Sequence, residues 1–197
     1  MLSNTLKFSL VFGCLVAAGT SMAAPGSTGG SGKITFTGEI LDAPCSIAPE
    51  SADQTVDLGQ ISNHQLNMGG KSEAHPFSIK LQNCALGSMV DGAYDATAGD
   101  YTSVSVTFTG GTATIEDGTE ELFAISGSAS GAGIAITDSA GDTIENGVPT
   151  SAFKLLEGDN ELGFNSYMQS LYAPESAAGS VTPGDFQSVV NFTLTYA

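Results

Sequence analysis

The sequence predicts an all-β protein, an antiparallel sandwich or barrel, and three observations carry that expectation. Short stretches alternate apolar and polar residues with the two-residue period of half-buried strands. Gly, Asp and Asn punctuate them as turns do, and 25 of the 197 residues are Gly. No window sustains an amphipathic helical period over three turns. With 41% apolar residues the chain can bury a core, and its length fits one domain after removal of a leader.

The leader comes first. Lys7 opens a short positive region, Phe8 to Ala18 is apolar, and Ser21-Met22-Ala23 places small residues where a signal peptidase reads them. Cleavage is expected after Ala23, because a cut after Ala24 would put Pro25 just past the scissile bond. The signal peptide is therefore 1–23, and its apolar run is too short to span a bilayer as an anchor. The mature chain of 174 residues, 23 fewer than 197, is expected to be exported without stable membrane insertion.

The mature N-terminus differs from the rest. Ala24 to Gly32 reads Ala-Pro-Gly-Ser-Thr-Gly-Gly-Ser-Gly, which has nothing to bury and is expected to be disordered in an isolated chain. Gly30, Gly32, Ile34, Phe36 and Gly38 nevertheless fall on one face of a strand, small residues giving way to large ones. A flexible arm with strand patterning suits addition to another chain's sheet edge.

Strand signals then follow in order. Lys33 to Leu41 alternates, and Thr55 to Leu58 is a short strand. Phe77, Ile79 and Leu81 alternate into Cys84; Val104, Val106 and Phe108 run until Gly110-Gly111. Leu122 to Ile125, Gly133 to Thr137 and Phe153 to Leu156 are further short segments, and Asn160 to Tyr172 alternates at length. After Thr182-Pro183-Gly184 the last strand puts Val190, Phe192, Leu194 and Tyr196 on one face and Asn191, Thr193 and Thr195 on the other. No returning strand follows it. Unpaired N–H and C=O groups beside apolar side chains template the next chain they meet, so this edge must be covered.

Charge and cysteines narrow the class. All 21 acidic residues lie beyond the leader, against four Lys and no Arg. Nucleic acid is excluded as a partner, since phosphate binding needs clustered Lys and Arg; the acidity reads as solubility and mutual repulsion. Once Cys14 leaves with the leader, Cys45 and Cys84 form an even pair in an oxidising compartment, and a disulfide is the default. In the chain-entropy model, closing a loop of about 40 residues stabilises the fold by roughly 4 kcal/mol.

Catalytic readings find little support. His64 and His75 sit among Ser and Asp residues, but no Gly-x-Ser-x-Gly elbow is present, and both read as loop residues. The acidic tracts Asp91 to Asp100, Glu116 to Glu121 and Asp138 to Glu145 lack the ligand spacing of a calcium loop. The expectation is a non-enzyme with no metal and no cofactor.

The block Gly32-Lys33-Ile34-Thr35-Phe36-Thr37-Gly38-Glu39-Ile40-Leu41-Asp42-Ala43-Pro44-Cys45-Ser46-Ile47 resembles the start of the pilins of the chaperone–usher pathway. Ser51 to Gln60 and Leu81-Gln82-Asn83-Cys84 continue the likeness. The ending Asn191-Phe192-Thr193-Leu194-Thr195-Tyr196 looks like their C-terminal motif, with a penultimate Tyr and Gly184 fourteenth from the end. Within these pilins the chain is similar to the major rod subunit of P pili; Gly87 to Pro149 matches only in style.

The resemblance implies an incomplete immunoglobulin-like β-sandwich lacking its final strand and completed by donor-strand exchange. The arm, 24–37, would donate through Gly30, Gly32, Ile34 and Phe36, with Gly32 passing a shallow part of the groove. The pilin domain, 38–197, would accept through Gly184, Phe186, Val190, Phe192, Leu194 and Tyr196. The implied partners are identical subunits in a helical rod, a periplasmic chaperone and an outer-membrane usher, and the destination is the bacterial surface. The alternative is a minor adaptor or an adhesive, carbohydrate-binding pilin; the mature chain leaves no room for a separate lectin domain.

Overall fold

The computed structural model describes residues 30–67, 70–99, 101–118, 120–173 and 179–197. The expected signal peptide and the first residues of the arm, 24–29, lie outside the described residues. The chain divides after Ile40 into two units, Met1–Ile40 and Leu41–Ala197. In the first, residues 30–40 are exposed and without regular secondary structure. The strand expected from Lys33 is therefore not formed, because an isolated strand has no partner for its backbone groups.

In the second unit the chain runs through β1 (Ser46–Ile47), α1 (Pro49–Ala52), α2 (Asn63–Asn67), β2 (His75–Cys84), β3 (Ser88–Val90), β4 (Ala93–Asp95) and β5 (Ser103–Gly110). It continues through β6 (Thr112–Thr114), β7 (Glu121–Ala124), β8 (Ser126–Gly127), β9 (Ala132–Asp138), β10 (Phe153–Lys154), β11 (Gly158–Ser170), β12 (Phe186–Gln187) and β13 (Val190–Tyr196). Pro49 starts α1, where its fixed φ fits and its missing N–H loses nothing. Ser51 ties that turn to β2, its Oγ accepting the Lys80 N–H at 3.0 Å.

Two sheets form a sandwich. One has six strands in the order β1-β2-β11-β9-β7-β6 and the other three in the order β10-β5-β13; β12-β8 and β3-β4 are separate pairs, and every pairing is antiparallel. Phe164 of β11 is the centre of the core. Its ring meets Phe108 edge-on at 5.1 Å, Phe153 edge-on at 5.6 Å and Phe77 stacked at 5.5 Å, so it bridges both sheets. Each such ring contributes about 1.5–3 kcal/mol by burial, and each aromatic pair roughly 0.5–1.5 kcal/mol more. β9 is buried on both faces: a Cβ at Gly133 would come within 2.7 Å of the Leu122 Cβ, so the outer face is closed there too.

The structure corrects three local readings. Thr55–Leu58 is not a strand, because no ladder reaches it; residues 54–62 run as an unpaired wall. His64 lies on α2 and His75 opens β2, so neither is a loop residue. The short elements β1, β3, β4, β6 and β8 have no alternation long enough to read.

Cys45 and Cys84 are joined by a disulfide with Cα atoms 4.1 Å apart. It anchors β1 to the end of β2, where Ser46 pairs with Gln82 and Ile47 with Leu81. Replacing both cysteines by Ser is expected to lower stability by about 2–5 kcal/mol in denaturant unfolding. The unreduced native chain should weigh two hydrogens less than the reduced one; two free thiols by mass spectrometry would overturn the assignment.

Candidate functional site

β13 is the outermost strand of its sheet, with β5 on one side and no described strand on the other. Its ladder runs from Val190 opposite Gly110 to Tyr196 opposite Val104. One step further, Ala197 and Ser103 exchange both backbone bonds: Ala197 N–H donates to Ser103 O at 3.0 Å and Ser103 N–H to Ala197 O at 2.9 Å. Antiparallel pairs of that kind alternate with pairs whose amides face the other way. Thr195, Thr193 and Asn191 therefore bond to β5 as Ala197 does, while Val190, Phe192, Leu194 and Tyr196 turn their N–H and C=O groups to the free edge.

Those four residues also form the apolar row that packs against the core. The row is only half-buried, whereas Val104, Val106 and Phe108 on neighbouring β5 are 0, 0 and 3% exposed. The difference locates an incomplete part of the core. Beside it lies a cleft of about 1200 Å³. One wall is residues 181–192, the other residues 51–63, and Phe77, Phe108, Ile134, Ile136 and Met168 line it between them. An apolar trough flanked by a strand with unsatisfied backbone groups is what one added strand fills, its amides pairing with the edge and its alternate side chains entering the trough.

Gly184, Phe186, Val190 and Phe192 line this cleft; Leu194 and Tyr196 continue the same open edge beyond it. A side chain at Gly184 would strike the backbone of Ser128 and Ala129, the latter's N at 2.7 Å from an added Cβ, so only Gly permits that close approach. Asp185 fixes the same point by accepting the N–H groups of Ser128 and Ala129 at 3.0 and 3.1 Å. Phe186 is set by the pairing of β12 with β8, opposite Gly127. At the far end Tyr196 meets Tyr101 edge-on at 6.2 Å, and burial pushes its phenol above the usual tyrosine range.

Gly30, Gly32, Ile34 and Phe36 belong to the separate segment before Leu41. Ile34 and Phe36 are 78 and 88% exposed, and the alternation continues through Gly38 to Ile40, which is fully exposed. Sequence reasoning missed the opposite wall and the residues contributed by β9 and β11, because alternation marks a buried face without saying which gap it borders. Among the described residues no group of three His, Cys, Asp or Glu could hold a metal ion. No described helix is long and apolar enough to cross a membrane.

The chain is 42% identical to the Fimbria A protein of Serratia marcescens over 95% of its length and 97% of the relative's. It is 40% identical to the Major MR/P fimbria protein of Proteus mirabilis (strain HI4320), covering 98% of each. Among solved structures it superposes on a subunit of a chaperone–usher pilus with a TM-score of 0.69 at 33% identity, over 88% of this chain and all of that one. The crystal structure of the P pilus rod subunit PapA gives 0.64 at 31%, over 79% of this chain and all of that one. The fold is thus the immunoglobulin-like sandwich of chaperone–usher pilins. The family model for fimbrial proteins matches residues 34–197, and the chain belongs to that family.

Proposed function

We propose that this chain is the repeating structural subunit of a bacterial surface fimbria, polymerising by donor-strand exchange after export by a chaperone and an outer-membrane usher. The observation that carries the reading is the free edge of β13, whose outward-facing Val190 and Phe192 border an unfilled apolar cleft and whose Leu194 and Tyr196 extend the same edge beyond it. The exposed, alternating segment 30–40 supplies the complementary element. Relatives named as a major fimbrial protein and a rod subunit support the repeating role over that of an adaptor.

In the periplasm a chaperone strand occupies the edge, and at the usher the arm of the next subunit replaces it. Burying Ile34, Phe36 and Ile40 contributes about 1.5–3 kcal/mol each, and the edge amides gain partners whose absence costs about 1–3 kcal/mol per buried group. The driving force is completion of the fold, so assembly uses no nucleotide, cofactor, metal or nucleic acid, and the chain performs no catalysis. Gly32 passes a shallow stretch of the cleft. Gly38, between Phe36 and Ile40 on the same face, forms a second gap.

The test is to express the chain with its chaperone and usher, with and without residues 24–40. The full chain should form rods in electron micrographs. The shortened chain should form a one-to-one chaperone complex and no fibre, and a synthetic 24–40 peptide should displace its chaperone. Normal fibres from the shortened chain would overturn the proposal.

Two point changes separate donor from acceptor. Gly32→Asn and Gly38→Asn overfill the cleft at about 1–3 kcal/mol each, and should slow polymerisation while leaving chaperone capture intact. Tyr196→Ala removes a half-buried ring worth up to about 1.5–3 kcal/mol and should weaken both steps. Purified chaperone complexes mixed with wild-type complexes and usher read out both effects.

A further inference from the structure

Beyond the arm and its root, six large apolar side chains are exposed among the described residues: Met89, Val90, Tyr94, Leu156, Val148 and Val189. They are not scattered. Met89, Val90 and Tyr94 form the β3–β4 hairpin, and the Glu157 carboxylate joins it to Leu156, accepting the Tyr94 hydroxyl at 2.7 Å and the Leu86 N–H at 3.1 Å. Ala85 N–H donates to Pro44 O at 2.8 Å, so this patch stands where the chain leaves the arm. Leu155 N–H donates to Thr102 O at 3.0 Å, which puts the Tyr196 end of β13 at the same end.

Val148 and Val189 lie at the other end. Gly147 N–H donates to Phe108 O at 2.8 Å and Gly110 N–H to Asn146 Oδ1 at 2.9 Å, beside the start of β13. A strand of seven residues separates the two ends by roughly 20 Å. Single exposed apolar residues need no explanation, but clusters at opposite ends of a subunit are the signature of a head-to-tail contact.

Chain connectivity brings these ends together once the arm is donated, and the inference rests on that proposed assembly. An arm laid parallel to β13 would emerge at the Tyr196 end, where the recipient's own arm root and hairpin already stand. Laid antiparallel, as every pairing in this fold is, it emerges at the Gly184 end. With Ile40 the last donated residue, only Leu41 to Pro44 then link the donated strand to Cys45 of its own body, and four extended residues reach at most about 14 Å. The hairpin is thereby held at the recipient's Val148–Val189 end at high effective concentration. Asp91 on the hairpin and Glu145 and Asp185 at the other end are all acidic, so the contact must be apolar.

We propose that the β3–β4 hairpin and Leu156 of one copy dock on the Val148–Val189 end of the copy that holds its arm. The probe is p-benzoylphenylalanine at Val90, with a second variant at Met89, in full-length chain assembled into fimbriae and irradiated. Denatured samples should show covalent multimers, and mass spectrometry should join the probe to peptides spanning 145–149 or 181–192. Links only to other segments, or normal fibres with no link from either position, overturn the contact. Failure of donor-strand exchange is read separately, as absence of fibres from the unmodified chain or failure of the 24–40 peptide to displace the chaperone, and removes the contact with it.

Discussion

Everything in this subunit depends on the hydrogen-bonding groups along one side of β13. Four residues present outward-facing N–H and C=O groups, two of them beside an apolar cleft, and neither water nor the described residues of the body satisfy both needs there. Water would hydrate the amides but leave the trough apolar and wet. Closing the two walls would bury the trough but strand the amides, at about 1–3 kcal/mol for each one buried. In the proposed assembly a strand from another chain meets both demands at once, and association is then part of folding.

How much of this was legible in the sequence varies by element. The long alternations of β2, β5, β11 and β13 were readable because their inward residues, such as Ile79, Val106, Phe164 and Phe192, face a large common core. The two faces of β13 were readable as well, since Val190, Phe192, Leu194 and Tyr196 alternate with Asn191, Thr193 and Thr195. Residues 55–58 were misread because their alternation is real while their ladder is absent: they wall the cleft from the side the missing strand would occupy. The hairpin β3–β4 was invisible because its apolar side chains point to solvent, leaving no buried face to impose a period. Gly184 was singled out by the resemblance of the C-terminal motif, yet its physical reason, the backbone of Ser128 and Ala129 pressed against it, belongs to a contact some 55 residues away in sequence.

The charge of the chain sets the range over which such contacts act. With 21 acidic residues and few Lys, copies repel one another until salt screens them, over about 8 Å at physiological ionic strength. Attraction is confined to short range, where strand pairing and apolar fit act. Non-specific clumping of a protein with an exposed adhesive edge is thus opposed at long range, while a strand already delivered to the cleft is held at short range.

The sequence separation of β5 and β13 imposes a timetable. Val104 pairs with Tyr196, and the segment that must arrive to make that pair lies 92 residues further along the polypeptide. In a chain that enters a compartment N-terminus first, Cys45 and Cys84 can be oxidised and the β1–β2 corner closed while β5 still waits for its neighbour. The free edge comes into being only when β13 has reached β5, so closure of the covalent corner and opening of the edge are separate events. They belong to different parts of the chain: covalent closure at the β1–β2 corner and, in the proposed assembly, a borrowed strand beside β13.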